Sequence, residues 1–275
     1  MVATGRTIIG NVFVSTEWLN DHLNDSNLAL VDVRQPYFYT QAHIPGAVNL
    51  PVVYLASPDG GPPPAASLAE RLGALGISRD VPIVAYDEGA GSSAARLYWV
   101  LSVYGHPRVF VLDGGITAWR HAGLDWAYES VVPSPVAYSI PDMDRSLVLR
   151  TDDLVRRLDA ADTVVVDTRS PGEYLGARQT ALRDGHIPGA VNVDWSANFW
   201  QEDGIALNQD TDELRRLYQS AGLTPDEAVV TYCQSGMRAS YTFAVLRDLG
   251  YRDVSVYVPG WNEWGNRHDT PVEGR

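Results

Sequence analysis

The sequence contains one cysteine, at position 233, and it opens the stretch Cys233-Gln234-Ser235-Gly236-Met237-Arg238. The apolar run Ala228-Val229-Val230-Thr231-Tyr232 before it reads as a buried strand, and Ala239 to about Leu249 after it reads as an amphipathic helix. A loop curled between a strand end and a helix start turns backbone N–H groups inward, and the helix N-terminus adds partial positive charge. Such a loop binds anions. With Cys233 at its centre, the anion is the cysteine's own thiolate, a nucleophile whose charge the guanidinium of Arg238 also supports. The competing reading is a small buried hydrophobe, as lone cysteines often are. Three features favour the nucleophile: the place at a strand end, Gly236, and Arg238, a cation that opposes the helix dipole unless an anion sits beside it. Ser235 is a turn former whose hydroxyl is also able to face the pocket.

Composition excludes much else. A single cysteine permits neither an internal disulfide nor a thiolate-cluster metal site, and the histidines show no paired ligand spacing, so no metal and no cofactor are expected. All 21 basic residues are arginine, which removes Schiff-base, pyridoxal-phosphate and Walker-type lysine chemistry. The net charge of −13 opposes binding to nucleic acid or to an anionic membrane. The sequence has neither a long apolar run nor a leader pattern, so a soluble, cytoplasmic protein is expected.

The elements that must hold the loop appear twice. Val31-Asp32-Val33-Arg34 returns as Val166-Asp167-Thr168-Arg169, and His43-Ile44-Pro45-Gly46-Ala47-Val48-Asn49 returns unchanged from His186 to Asn192. Gly115 and Trp119 answer to Gly260 and Trp264. Short β-branched runs alternate with helical stripes in each copy: Ala29 to Val33, Ile83 to Tyr86 and Val109 to Leu112, then Val164 to Asp167, Val229 to Tyr232 and Val254 to Tyr257. This predicts an α/β fold of two tandem domains, each a parallel sheet with helices on both faces. The expected division is residues 1–123, a linker over 124–147, and residues 148–275. Thr151 before Asp152 and Asp153 reads as a helix N-cap, and Pro58 to Pro64 as a surface loop. Between Tyr174 and His186 the second copy has gained a segment that carries Arg178 and Arg183.

These repeats, the Cys233 loop and the ending Pro259-Gly260-Trp261-Asn262-Glu263-Trp264-Gly265-Asn266 resemble the rhodanese superfamily, specifically its tandem-domain thiosulfate and 3-mercaptopyruvate sulfurtransferases. The resemblance implies paired rhodanese-like folds with the site near the cleft between them, and a Cys233 that takes sulfur from a donor as a persulfide and passes it on. It implies substrate contacts from Gln234, Ser235, Gly236, Met237 and Arg238, and from Arg183, which matches a substrate-binding arginine of the mercaptopyruvate class. Arg183 reads equally well as an ordinary loop arginine. Glu173 stands where both classes tend to carry an arginine. Phosphatase relatives resemble a Cys-x5-Arg pattern, whereas the loop here is Cys-x4-Arg, a ring too tight for phosphate.

In the first copy Asp87 falls opposite Cys233, followed by Glu88, so that copy cannot form a persulfide and is expected to be inactive. Asp32 with Arg34 and Asp167 with Arg169 occur in both copies and read as structural ion pairs, His43 and His186 as structural histidines, and Trp261 and Trp264 as core and cleft wall. The expected activity is sulfur transfer from thiosulfate, with cyanide, a thiol or a protein cysteine as acceptor. The alternatives are 3-mercaptopyruvate as donor and, in another class, a non-enzymatic persulfide carrier or binding module.

Overall fold

Each copy of the repeat folds around its own five-stranded sheet. The computed structural model describes residues 11–158 and 163–274. The chain divides into one unit of residues 1–55, 63–143 and 201–208 and a second of residues 56–62, 144–200 and 209–275.

In the first unit the strands are β1 (Phe13–Val14), β2 (Ala29–Asp32), β3 (Val48–Asn49), β4 (Ile83–Tyr86) and β5 (Val109–Leu112), in the order β1-β5-β4-β2-β3 and all parallel. Its helices are α1 (Thr16–His22), α2 (Pro36–Gln41), α3 (Ala65–Ala74), α4 (Ser92–Val103) and α5 (Gly115–His121). The second unit repeats this order with β6 (Val148–Leu149), β7 (Thr163–Asp167), β8 (Val191–Asn192), β11 (Ala228–Tyr232) and β12 (Val254–Tyr257), arranged β6-β12-β11-β7-β8 and parallel throughout. Its helices are α6 (Thr151–Arg157), α7 (Pro171–Tyr174), α8 (Thr211–Ser220), α9 (Met237–Asp248) and α10 (Gly260–Trp264). Between β8 and α8 the chain forms an antiparallel hairpin, β9 (Phe199–Glu202) and β10 (Ile205–Asn208).

The long strands read from β-branched runs are present to within a residue, because a parallel strand covered on both sides is apolar throughout. The edge strands β1, β3, β6 and β8 are two residues long, too short to show any alternation. The hairpin had a signal that went unread: its turn is Asp203-Gly204, both at positive φ (51° and 79°), as an Asp-Gly type I′ turn requires.

Helix α9 departs from the expected amphipathic pattern, since every residue from Ala239 to Leu246 is buried against β11, β12 and the turn at Trp195–Asn198. Ser240 Oγ donates to the Gly236 carbonyl at 2.8 Å. The α6 N-cap is Arg150, not Thr151, and the backbone N–H of Arg150 donates to Asp153 at 3.1 Å. Thr151 is the first helical residue, and its hydroxyl bonds Tyr257 and Glu263.

The stretch expected to be a surface loop belongs in part to the second unit, where Asp59 pairs with Arg150 at 2.8 Å. Residues 124–143 run with the first unit, with Val136 N–H on the Gly73 carbonyl at 2.9 Å and the Tyr138 hydroxyl 2.7 Å from His106.

The repeated motifs hold the sheets together. Arg169 clasps Asp167 at 2.6 Å with both side chains fully buried, and Arg34 holds Asp32 at 2.7 Å in the same way. His186 stacks on Tyr174 and bonds its carbonyl at 2.9 Å, as His43 does with Tyr39. Trp119 and Trp264 are buried, and their indole N–H groups donate to the carbonyls of Asp125 and Pro271. Trp261 is buried as well, beneath the Arg169 guanidinium at 4.4 Å. Among the described residues no helix is long and apolar enough to cross a membrane.

Candidate active site

Strand β11 is buried along Val229 to Tyr232 and delivers Cys233 at its C-terminal end, in line with β7 beside it. Tyr232 fixes that end, its hydroxyl donating to Asp167 at 2.5 Å and accepting the Ile187 N–H at 3.2 Å. The chain then turns through Gln234 and Ser235 to Gly236, the cap of α9, whose φ of 88° lies in the left-handed region that glycine adopts without strain. The turn brings the Gly236 N–H onto the Cys233 sulfur at 3.1 Å, and Cys233 is 1% exposed. Its sulfur therefore sits in the mouth of a helix N-terminus with an amide aimed at it.

Helix α10 clamps the loop from outside. The Cys233 carbonyl accepts the Trp261 N–H at 2.8 Å, and the Gln234 carbonyl accepts the Asn262 N–H at 3.0 Å. Gly260 makes this approach possible, since a Cβ there would lie 2.5 Å from the Cys233 oxygen. The Gln234 amide donates to the Thr180 carbonyl at 2.9 Å and to Asn262 at 2.5 Å, which ties the gained segment to the loop. Ser235 is exposed, and Met237 is half-buried at the first turn of α9.

Arg238 faces two groups. Its terminal nitrogens bond both oxygens of Glu173 at 2.9 and 3.0 Å, and the Cys233 sulfur lies close enough to favour its charge further. Burial opposes the guanidinium charge, but Glu173 and then Cys233 outweigh it and raise the Arg238 pKa. Glu173 is buried on α7, where Ser170 caps the helix and bonds the same carboxylate. Burial would raise the Glu173 pKa, but the hydrogen bonds from Arg238 and Ser170 dominate and lower it to about 2. A carboxyl held below its ordinary value stabilises the fold above that ordinary value, and the gain is lost as pH falls through about 2. Acidification from about pH 6 to about pH 3 is thus expected to lower the denaturation midpoint of the wild type more than that of Glu173→Gln.

Arg183 is tied to the C-terminal segment. Its Nη1 donates to the Thr270 carbonyl at 2.7 Å and its Nη2 to the Trp264 carbonyl at 2.7 Å, so both hold the C-terminal segment, while its Nε is buried with no partner among the described residues. The sequence could not show this, because carbonyls carry no residue-type signal. Arg183→Ala is expected to destabilise the second unit by about 1–3 kcal/mol through the abandoned carbonyls. Urea denaturation measures it. Arg178 is exposed, one turn from Glu173, with its N–H on the Gly172 carbonyl.

The first copy shows what the same cradle does without a cysteine. Asp87 follows β4 as Cys233 follows β11, but the cap glycine, Gly91, comes one residue later than Gly236 does. The longer loop wraps the Asp87 carboxylate itself: Oδ1 accepts the N–H groups of Gly89 (2.9 Å) and Gly91 (3.0 Å), and Oδ2 those of Ser93 (2.9 Å) and Ala94 (3.4 Å). Burial raises the Asp87 pKa, against the four donors that act to lower it. Glu88 pairs with Arg34 Nη1 at 3.3 Å, whereas Gln234 stands in its place in the second copy and Arg169 Nη1 is buried with no partner among the described residues.

Both halves of the chain, residues 15–122 and 150–267, match the rhodanese-like domain. The chain belongs to the rhodanese family. Among its relatives, the thiosulfate sulfurtransferase of Azotobacter vinelandii is 39% identical over 93% of this chain and 94% of its own length. The sulfur carrier protein TtuD of Thermus thermophilus is 34% identical over 95% and 96%, and the 3-mercaptopyruvate sulfurtransferase of Escherichia coli 29% over 95% and 97%. In solved structures, the anaerobic ergothioneine biosynthesis enzyme of Chlorobium limicola superposes with a TM-score of 0.85 at 25% identity, over 96% of this rhodanese chain and 70% of that one.

Proposed function

We propose that this rhodanese is a thiosulfate sulfurtransferase that carries sulfur as a persulfide on Cys233. The observation that carries the reading is the placement of the Cys233 sulfur at the α9 N-terminus, with the Gly236 amide on it and Arg238 beside it. The Cys233 thiolate attacks the outer sulfur of thiosulfate, the sulfur–sulfur bond breaks, and sulfite leaves with the electron pair. Cyanide or a thiolate then attacks the terminal sulfur of the persulfide, forming thiocyanate or a new persulfide and returning the Cys233 thiolate. The amides of residues 234–238 cradle the transferred sulfur and its charge, and the tight Cys-x4-Arg loop leaves room for one added atom. The name of the Azotobacter relative supports thiosulfate as the donor.

A second reading, 3-mercaptopyruvate as donor, is favoured by Glu173, whose carboxylate offsets the charge a dianion would seek. Steady-state rates with thiosulfate and with 3-mercaptopyruvate, together with intact mass after each donor, test the proposal. Turnover and one added sulfur with thiosulfate are expected, and loading by 3-mercaptopyruvate alone would transfer the assignment to that donor.

A further inference from the structure

The cation beside the reactive sulfur is not free to receive an anion. Both terminal nitrogens of Arg238 are engaged by both oxygens of Glu173, at 2.9 and 3.0 Å, and the glutamate side chain is only 6% exposed. The pair is nearly neutral as seen from the pocket. The charge of Arg169 is balanced by Asp167, although its Nη1 has no partner among the described residues, and Arg183 donates to the carbonyls of Trp264 and Thr270 while its Nε has none. A donor approaching Cys233 therefore meets backbone amides and a balanced ion pair. Amide dipoles hold one negative charge well, but a second charge on the same small ligand needs a net cation, and Glu173 cancels the one available.

Resting on the sulfurtransferase reading, we infer that Glu173 is a specificity-determining residue: it sets how strongly the site discriminates between dianionic and monoanionic sulfur donors. It does so through Arg238, as a positioning and charge-balancing group, and forms no bond to the donor. Its place on α7, held by Ser170 through both the N–H and the hydroxyl, keeps the carboxylate aimed at Arg238 rather than free to swing into solvent. Its lowered pKa, about 2, keeps it charged at any working pH.

The test compares the wild type with Glu173→Gln, which keeps the side chain's shape but removes the charge and one of the two acceptor oxygens. Michaelis constants and turnover numbers are measured for thiosulfate, with two charges, and 3-mercaptopyruvate, with one. The thiosulfate constant is expected to fall about tenfold, the order that loss of one partly screened neighbouring charge produces, and the 3-mercaptopyruvate constant by clearly less. Both effects should shrink as salt is raised. A second arm needs no turnover: sulfate is titrated as a protectant of Cys233 against iodoacetamide, and half-protection should come at about tenfold lower sulfate in the variant. Glu173→Ala, if the glutamine variant folds poorly, should show the same dependence on donor charge. Equal shifts for both donors, or a rise in the thiosulfate constant, would overturn the inference and leave Glu173 as a mere anchor for Arg238. Should neither donor load sulfur on the wild type, the sulfurtransferase reading falls, and the sulfate arm still decides the charge inference.

Discussion

Cys233→Ser is expected to remove sulfur transfer down to background while leaving the second unit folded. A serine hydroxyl at neutral pH is a poor nucleophile without a paired base, and an oxygen in place of sulfur cannot hold a sulfane sulfur as a persulfide. The fold should survive, because the side chain is small, and the donors beside it, the Gly236 N–H at 3.1 Å and Arg238, have an acceptor in the serine oxygen too. The stability change is expected to stay below about 1 kcal/mol, as for a near-isosteric change that leaves no donor orphaned. Intact mass after thiosulfate should show one added sulfur on the wild type and none on the variant, with matching denaturation curves. Since Cys233 is the only cysteine in the sequence, added sulfur has a single thiol to occupy. Turnover by the serine variant would remove the persulfide from the mechanism.

The second large effect is expected in the copy that does no chemistry. Asp87→Asn should destabilise the first unit by at least about 2 kcal/mol, because the four backbone donors of its cradle need two acceptor oxygens and an amide offers one. Whichever way the amide turns, its NH2 group faces two N–H groups that have no water to turn to, Asp87 being 7% exposed. An opposing effect exists, since burial makes the charge costly and the variant relieves that cost. The four donors are held at fixed positions by the loop and the first turn of α4, so their loss outweighs the relief. Urea denaturation measures the outcome. A midpoint shift within a few tenths of a kcal/mol would mean that burial and hydrogen bonding cancel, and sulfur loading of Cys233 in the folded variant is expected to continue.

Asp87 also shows where reading the chain as a repeat stops being enough. Setting the copies side by side puts Asp87 against Cys233, and both do follow the same buried tyrosine at the end of a central strand. The extra residue before Gly91 became visible only where the helix starts, since glycines in a Gly-rich run are interchangeable by eye but only one of them caps α4 at positive φ. One copy uses its loop to hold a sulfur, and the other, a residue longer, closes around its own carboxylate.

By itself the sequence determined what depends on residue type and local period: the buried strands, the duplication, the loop with its only thiol, and the ion pairs two residues apart in each copy. Residues two apart at one strand end have little choice of partner, and the Asp167 and Arg169 contact follows from that nearness. Tertiary structure alone decided the pairings across long stretches of chain. Glu173 could be seen to stand where an arginine is usual, but not that it would meet Arg238, because α7 and the start of α9 come together only through the parallel β7–β11 register. Arg183 stood out as a cation near a reactive site, yet its donors went to backbone carbonyls, which every residue offers alike. A charged side chain's role is set by the partners that the fold brings within a few ångströms, and those partners are not written next to it in the chain.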